Sequence, residues 1–154
     1  MKKVIFSGLV LLFVAIVTYA FYFKPTTMML HHGWTRVAPP NSPMAGYFEL
    51  HNHSDSDYSL IGASSSDFDH VMIHRSFEEG GVVKMAHIDE VKIKQGGNIS
   101  FKPGGFHLML MGRKREFERG DKISMALHFK SNSEMKVELE VKSTDESKHD
   151  HSSH

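Results

Sequence analysis

The chain of 154 residues contains no cysteine. Disulfide frameworks, thiolate metal sites and cysteine nucleophiles are therefore excluded. Net charge is missing too, since 18 Lys and Arg balance 18 Asp and Glu. A nucleic-acid binder would carry a strong basic excess, so that class drops out. There is no internal repeat, and no stretch past residue 24 reads as a soluble helix. No charged residue falls between Val4 and Phe23. Methionine and histidine are plentiful instead, at 10 and 12 residues. A metal protein without thiols suits an oxidising compartment, where a thiolate would be at risk of oxidation.

The uncharged run follows Met1-Lys2-Lys3, and two readings fit residues 1–23. As a signal peptide, the run offers only Thr18-Tyr19-Ala20 as a weak cleavage match. As an N-terminal membrane anchor it offers a hydrophobic helix of about 20 residues. Phe21, Tyr22, Phe23 and Lys24 then stand where interfacial residues belong. Either way the two lysines hold the N-terminus in the cytoplasm and send the rest out. Residues 24–33 read as a solvated linker carrying Met28, Met29, His31 and His32, with an auxiliary metal-collecting arm as the alternative. Residues 143–154 read as a flexible tail. In it His149, His151 and His154, beside Asp150, form a candidate second metal set for Cu(II) or a similar divalent ion.

Residues 34–142 make one domain of short strands. Alternating segments recur at Met44–His51, Tyr58–Ala63, His70–Phe77, Val82–Val91, Ile99–Phe101, Phe106–Met111, Ile123–Phe129 and Met135–Val141. Turn residues separate them, among them Lys102-Pro103-Gly104-Gly105 and Gly96-Gly97-Asn98. Strands at this spacing predict an all-β fold, an antiparallel β-sandwich or barrel.

Four residues stand out within that pattern. His74 is followed after ten residues by Met85, then after twenty-one by His107, with Met109 two further on. A turn centred between Glu79 and Gly80 predicts that His74 and Met85 face each other across a hairpin. That register also predicts Met72 opposite His87, as a second shell or packing pair. His107 and Met109, two apart on a strand, share a face. Each residue alone has a plain explanation, because Met in a strand is usually core filler. Two independent His–Met pairs are another matter. Thioether is a soft neutral donor that selects Cu(I), whereas Mg²⁺ and Ca²⁺ want oxygen and Zn²⁺ seldom takes it.

The spacing and its surroundings resemble the periplasmic copper chaperones of the PCuAC family. The matching text includes Trp34-Thr35-Arg36-Val37-Ala38-Pro39-Pro40, Met44-Ala45-Gly46-Tyr47, and Lys102 to Gly112 around His107-Leu108-Met109. The similarity runs from about Gly33 to Val141. It implies a cupredoxin-like fold and a Cu(I) site of His74, Met85, His107 and Met109. It further implies a periplasmic protein without catalysis; with the neutral charge balance, we expect a monomer that binds no nucleic acid and is tethered to the inner membrane if the N-terminal segment stays uncut. Such a protein hands copper to the binuclear centre of cytochrome c oxidase, on its copper-bearing subunit, or to another assembly protein. Two other functions compete: a copper buffer or resistance protein with no recipient, and a structural β-module whose His and Met are incidental. Without cysteine the blue-copper electron carrier is excluded.

Overall fold

Along Met44–Asn52 every second residue is buried, Met44, Phe48 and Leu50 pointing in while Ala45, Tyr47, Glu49 and His51 stay half-exposed. That period of two is what a strand with one face on a core requires. The computed structural model describes residues 28–143 and is all-β there. The expected N-terminal helix over 1–23 and the tail residues His149, His151 and His154 lie outside the described residues.

Ten strands make up the described part. They are β1 (Met28–Arg36), β2 (Met44–Asn52), β3 (Tyr58–Ser64), β4 (Phe68–Glu79) and β5 (Val82–His87), then β6 (Val91–Ile93), β7 (Asn98–Phe101), β8 (Phe106–Arg113), β9 (Lys122–Phe129) and β10 (Glu134–Lys142). Hydrogen bonds join them in the order β5-β4-β8-β7-β2-β1-β10-β9-β3-β6, with β8 also bonded to β2. All pairings are antiparallel except β1 with β10 and the single step between β7 and β8. The inner faces share one apolar cluster, in which Phe48, Leu50, Ile73, Leu108, Leu110 and Leu127 are sealed from solvent. Phe48 and Phe101 stack within it at 4.4 Å between centroids.

Two elements differ from the sequence reading. The stretch read as a linker is, from Met28 on, the first half of β1, paired residue for residue with β2 from Met28↔Asn52 to His31↔Glu49. Strand identity there comes from a partner distant in sequence, which local pattern cannot reveal. The run Val82–Val91 is two strands rather than one. β5 pairs with β4 at one end of the order and β6 with β3 at the other. The chain changes neighbours at Ile88, whose backbone N–H donates to the Ile73 carbonyl at 2.9 Å. Both free edges of the order, β5 and β6, therefore come from neighbouring stretches of chain, separated only by Ile88, Asp89 and Glu90.

Candidate metal site

β8 places the first two candidate donors. Lys102-Pro103-Gly104-Gly105 turns the chain into it: the Gly105 N–H donates to the Lys102 carbonyl at 3.0 Å, and Gly104 sits at φ +78°. Proline at the second position and a positive-φ glycine at the third are what a type II turn demands. Beyond the turn, even-numbered Leu108 and Leu110 go into the core, so His107 and Met109 share the outer face. His107 is nevertheless only 6% exposed. Its Nδ1 lies 3.2 Å from the Gly105 carbonyl, which can only accept, so Nδ1 carries the proton. That leaves Nε2 with its lone pair free, the arrangement second-shell carbonyls impose on metal-binding histidines.

β4 lies beside β8 and brings His74 directly opposite His107 and Met72 directly opposite Met109. The His74 and His107 rings are 6.0 Å apart, centroid to centroid, with their planes inclined at 64°. Two imidazoles sharing one ion, each roughly 2 Å from it, have centroids about 5–6 Å apart. His74 is half-buried, and its Nδ1 is sealed from water with no hydrogen-bond partner. Burial lowers its pKa, and nearby His107 and His87 lower it further. The neutral imidazole, the metal-binding form, is thereby favoured.

The β4–β5 hairpin corrects the expected register. Gly80 and Gly81 form the two-residue turn at φ +62° and +77°, as a type I′ turn requires, and Glu79 pairs with Val82. His74 therefore faces His87, not Met85, and Met85 faces Ser76. Met72 faces Met109 on β8 rather than His87. The shift is two residues, so Met85 stays on the same face as His74, now on the diagonal, where Cβ atoms are about 7–8 Å apart. The result is a row of three histidines, His107, His74 and His87, with ring separations of 6.0 and 5.6 Å. Met109 and Met72 flank the row on one side and Met85 on the other. Met85 is 54% exposed on the edge strand, and His87 is exposed beside Asp89, with 3.2 Å from Nε2 to the carboxylate.

Sequence reasoning passed over Tyr47, whose ring lies 6.5 Å from His107 and 4.6 Å from Trp34. Burial pushes its phenol pKa up against the opposing pull of Arg36, so it stays neutral beside the row. The segment Met44-Ala45-Gly46-Tyr47, which carries part of the family resemblance, holds the signal for it. Met44, which follows the proline-rich loop, is in the core and does not cover the row. Met111 lies opposite His70 on the outer face.

Among the described residues no three His, Asp or Glu side chains are grouped as a metal centre needs. The thioethers of Met72, Met85 and Met109 beside the row are donors of the kind a soft ion takes. Elsewhere, Ser64 Oγ and His128 Nε2 are 2.9 Å apart, with Glu134 3.6 Å from Nδ1. That nucleophile–base spacing is absent from the linear pattern. Ser64 and Glu134 are exposed and His128 only half-buried, so the arrangement lacks the water exclusion that would strengthen it.

Comparison with known proteins places this geometry in context. The model for the family described as "Putative lipoprotein LpqE-like" matches residues 28–141. Among curated proteins, Uncharacterized protein RP573 of Rickettsia prowazekii is 33% identical over 101 residues, 65% of this chain and 56% of that protein. Putative lipoprotein Lxx21020 of Leifsonia xyli subsp. xyli is 30% identical over 110 residues, 71% of this chain and 66% of that protein. The chain thus spans between half and two thirds of the length of these two relatives. Among solved structures, the copper-bound PCuAC domain from PmoF2 superposes with a TM-score of 0.64 at 20% identity, covering 79% of this chain and 97% of that one. The Cu(I) form of DR1885 from Deinococcus radiodurans superposes at 0.59 with 26% identity, covering 78% of this chain and 79% of that one. The fold is the cupredoxin-like one of PCuAC domains.

Proposed function

The chain belongs to the LpqE-like family, and on that footing we propose that it is an exported copper metallochaperone carrying Cu(I) on His74, Met85, His107 and Met109. The observation that carries the reading is the facing His74–His107 pair at 6.0 Å, with its unpartnered Nδ1 and flanking thioethers. The likeness to copper-bound PCuAC structures supports the choice of ion. The lipoprotein descriptions of the family and of the Leifsonia relative support placement outside the cytoplasm at a membrane. Residues 1–23 are then a signal peptide or anchor, the ten-stranded unit from Met28 to Lys142 is the copper-binding domain, and the protein acts as a periplasmic monomer. The recipient is the binuclear copper centre of cytochrome c oxidase or an assembly protein that serves it. His149, His151 and His154 give the tail a separate capacity for Cu(II).

The mechanism follows from where each donor sits. His107, oriented by the Gly105 carbonyl, and His74 form the fixed part of the cradle. Met85, exposed on an edge strand, is the donor an incoming ligand displaces first. Every donor is neutral, so release leaves no buried anion behind, and stepwise ligand exchange meets no large desolvation barrier. The role requires binding and release, and none of the four residues performs bond chemistry.

The test is a Cu(I) competition titration against a chromophoric chelator, using protein with His149, His151 and His154 replaced by alanine. One tightly held Cu(I), weakened by His74→Ala, Met85→Ala, His107→Ala and Met109→Ala in turn, is the expected result. Affinity unchanged by all four substitutions would return these residues to packing roles. Oxidase activity in a deletion strain under copper limitation separates a chaperone from a buffer, since only loss of a chaperone lowers it.

A further inference from the structure

The outer face that carries the histidine row continues across β2 to β1, and a second collection of histidine and methionine lies there. Glu49 and His51 follow Tyr47 on the same face of β2. His51 lies opposite Met29 and Glu49 opposite His31, so Met29, His31, Glu49 and His51 share one side of the sheet. The His31 and His51 rings are 4.9 Å apart and nearly perpendicular, close to the spacing of two imidazoles on one ion. Met29, two residues from His31, is 50% exposed, so its thioether is open to an ion at the surface. The Met29-Leu30-His31 pair mirrors His107-Leu108-Met109, the same two donors at the same spacing on a strand.

The backbone is shaped around this arrangement. Between His31 and Trp34 the register with β2 slips by one residue, and His32 sits at φ +52°. The slip is a β-bulge, which leaves both His31 and Trp34 on the outer face instead of sending one inward. Glu49 Oε2 lies 3.4 Å from His51 Nε2, holding one ring nitrogen and leaving Nδ1 for a ligand. His53 stacks on His51 at 6.0 Å with planes only 22° apart, a packing neighbour to the ring.

We infer that Met29, His31 and His51 form a second Cu(I) site on the domain itself, distinct from the His74–His107 row and from the tail. Two imidazoles and one thioether make a neutral three-donor set, which suits the soft monovalent ion and gives oxygen-seeking cations little hold. The site lies about 13 Å along β2 from Tyr47, four residues at strand rise. It is thus on the same face as the first row, and its binding does not depend on that row being a copper site.

The experiment is an anaerobic Cu(I) titration of the full chain bearing His74→Ala, His107→Ala and the three tail substitutions. It is followed through the ¹³C-methyl signal of Met29 and the ring signals of His31 and His51. One added equivalent should shift all three. His51→Gln and Met29→Leu, both exchanges on the solvated face, should each weaken that binding by more than about tenfold, the lower range for losing even an outer-shell partner. Signals unmoved by excess Cu(I), or an affinity unchanged by both exchanges, would overturn the site. The parallel titration of His51→Gln in an otherwise natural chain reports the first row through the Met109 methyl. Failure of one site is therefore read separately from failure of the other.

Discussion

β8 and β5 each carry one histidine and one methionine toward the same patch, in opposite surroundings. β8 is flanked by β4 on one side and by β7 and β2 on the other, and its alternate residues anchor the core. β5 is an edge strand with five of its six residues exposed, Val83 at 74% among them. His107, the second residue of β8, is sealed and oriented by the Gly105 carbonyl, whereas Met85 and His87 stand in solvent. The difference teaches how binding and release divide between strands. On the proposed copper reading, a donor fixed by packing loses little entropy on ligation and supplies affinity, while a donor on an exposed edge strand supplies a way out.

The largest effect expected from this contrast is on stability. Leu108→Ala, on the inward face of β8, should cost about 2–5 kcal/mol in urea unfolding. Val83→Ala on β5 should stay within roughly 0.5 kcal/mol, as exposed substitutions do. Comparable losses at both positions would mean that β5 is structural rather than peripheral. Next comes copper affinity. His107→Ala should weaken Cu(I) binding beyond the roughly 100-fold that losing an outer-shell partner can cost, and Met85→Leu by about tenfold. A reversal of that order in chelator competition would break the assignment of roles to centre and edge.

The smallest effect concerns pH and sharpens the place of His74 between the two strands. Burial first, then repulsion from His107 and His87, holds its imidazole below the ordinary value of 6.5. The folded state therefore binds this proton less readily than the unfolded chain. Its contribution to stability is complete above pH of about 6.5, declines as pH falls toward the lower folded value, and falls no further below it. His74→Gln should flatten that decline in denaturation curves of the copper-free protein. An unchanged slope would assign the acid sensitivity to other histidines.

Much of the architecture was legible from alternation alone. Met44–His51 and Phe106–Met111 each bury one face, and a period of two is a local property that sequence carries directly. β1 was not legible, because Met28 to Gly33 carries no two-residue alternation and reads as a solvated linker until β2 supplies its partner. The split of Val82–Val91 was hidden for a similar reason: either half is apolar enough to be a strand, and only the two sheet edges decide where the chain leaves one for the other. At the hairpin, the tip Glu78-Glu79-Gly80-Gly81 accommodates more than one turn, and the two positive-φ glycines select the I′ form. The slip by two kept Met85 on the expected face while replacing its partner, because faces follow parity and partners follow register.

By itself, the sequence determined a cysteine-free set of soft neutral donors on β-strands, with His107 and Met109 on one face and His74 and Met85 on another. These follow from composition and from the two-residue pleat, which operate over a few positions. Only the tertiary structure decided that the faces are one face, with His74 opposite His107 and His87 completing the row. It also decided that Met29, His31 and His51 meet beyond Tyr47. Strand order and register are set by hydrogen bonds and packing between segments far apart in the chain, and no local pattern encodes which segment a strand will find.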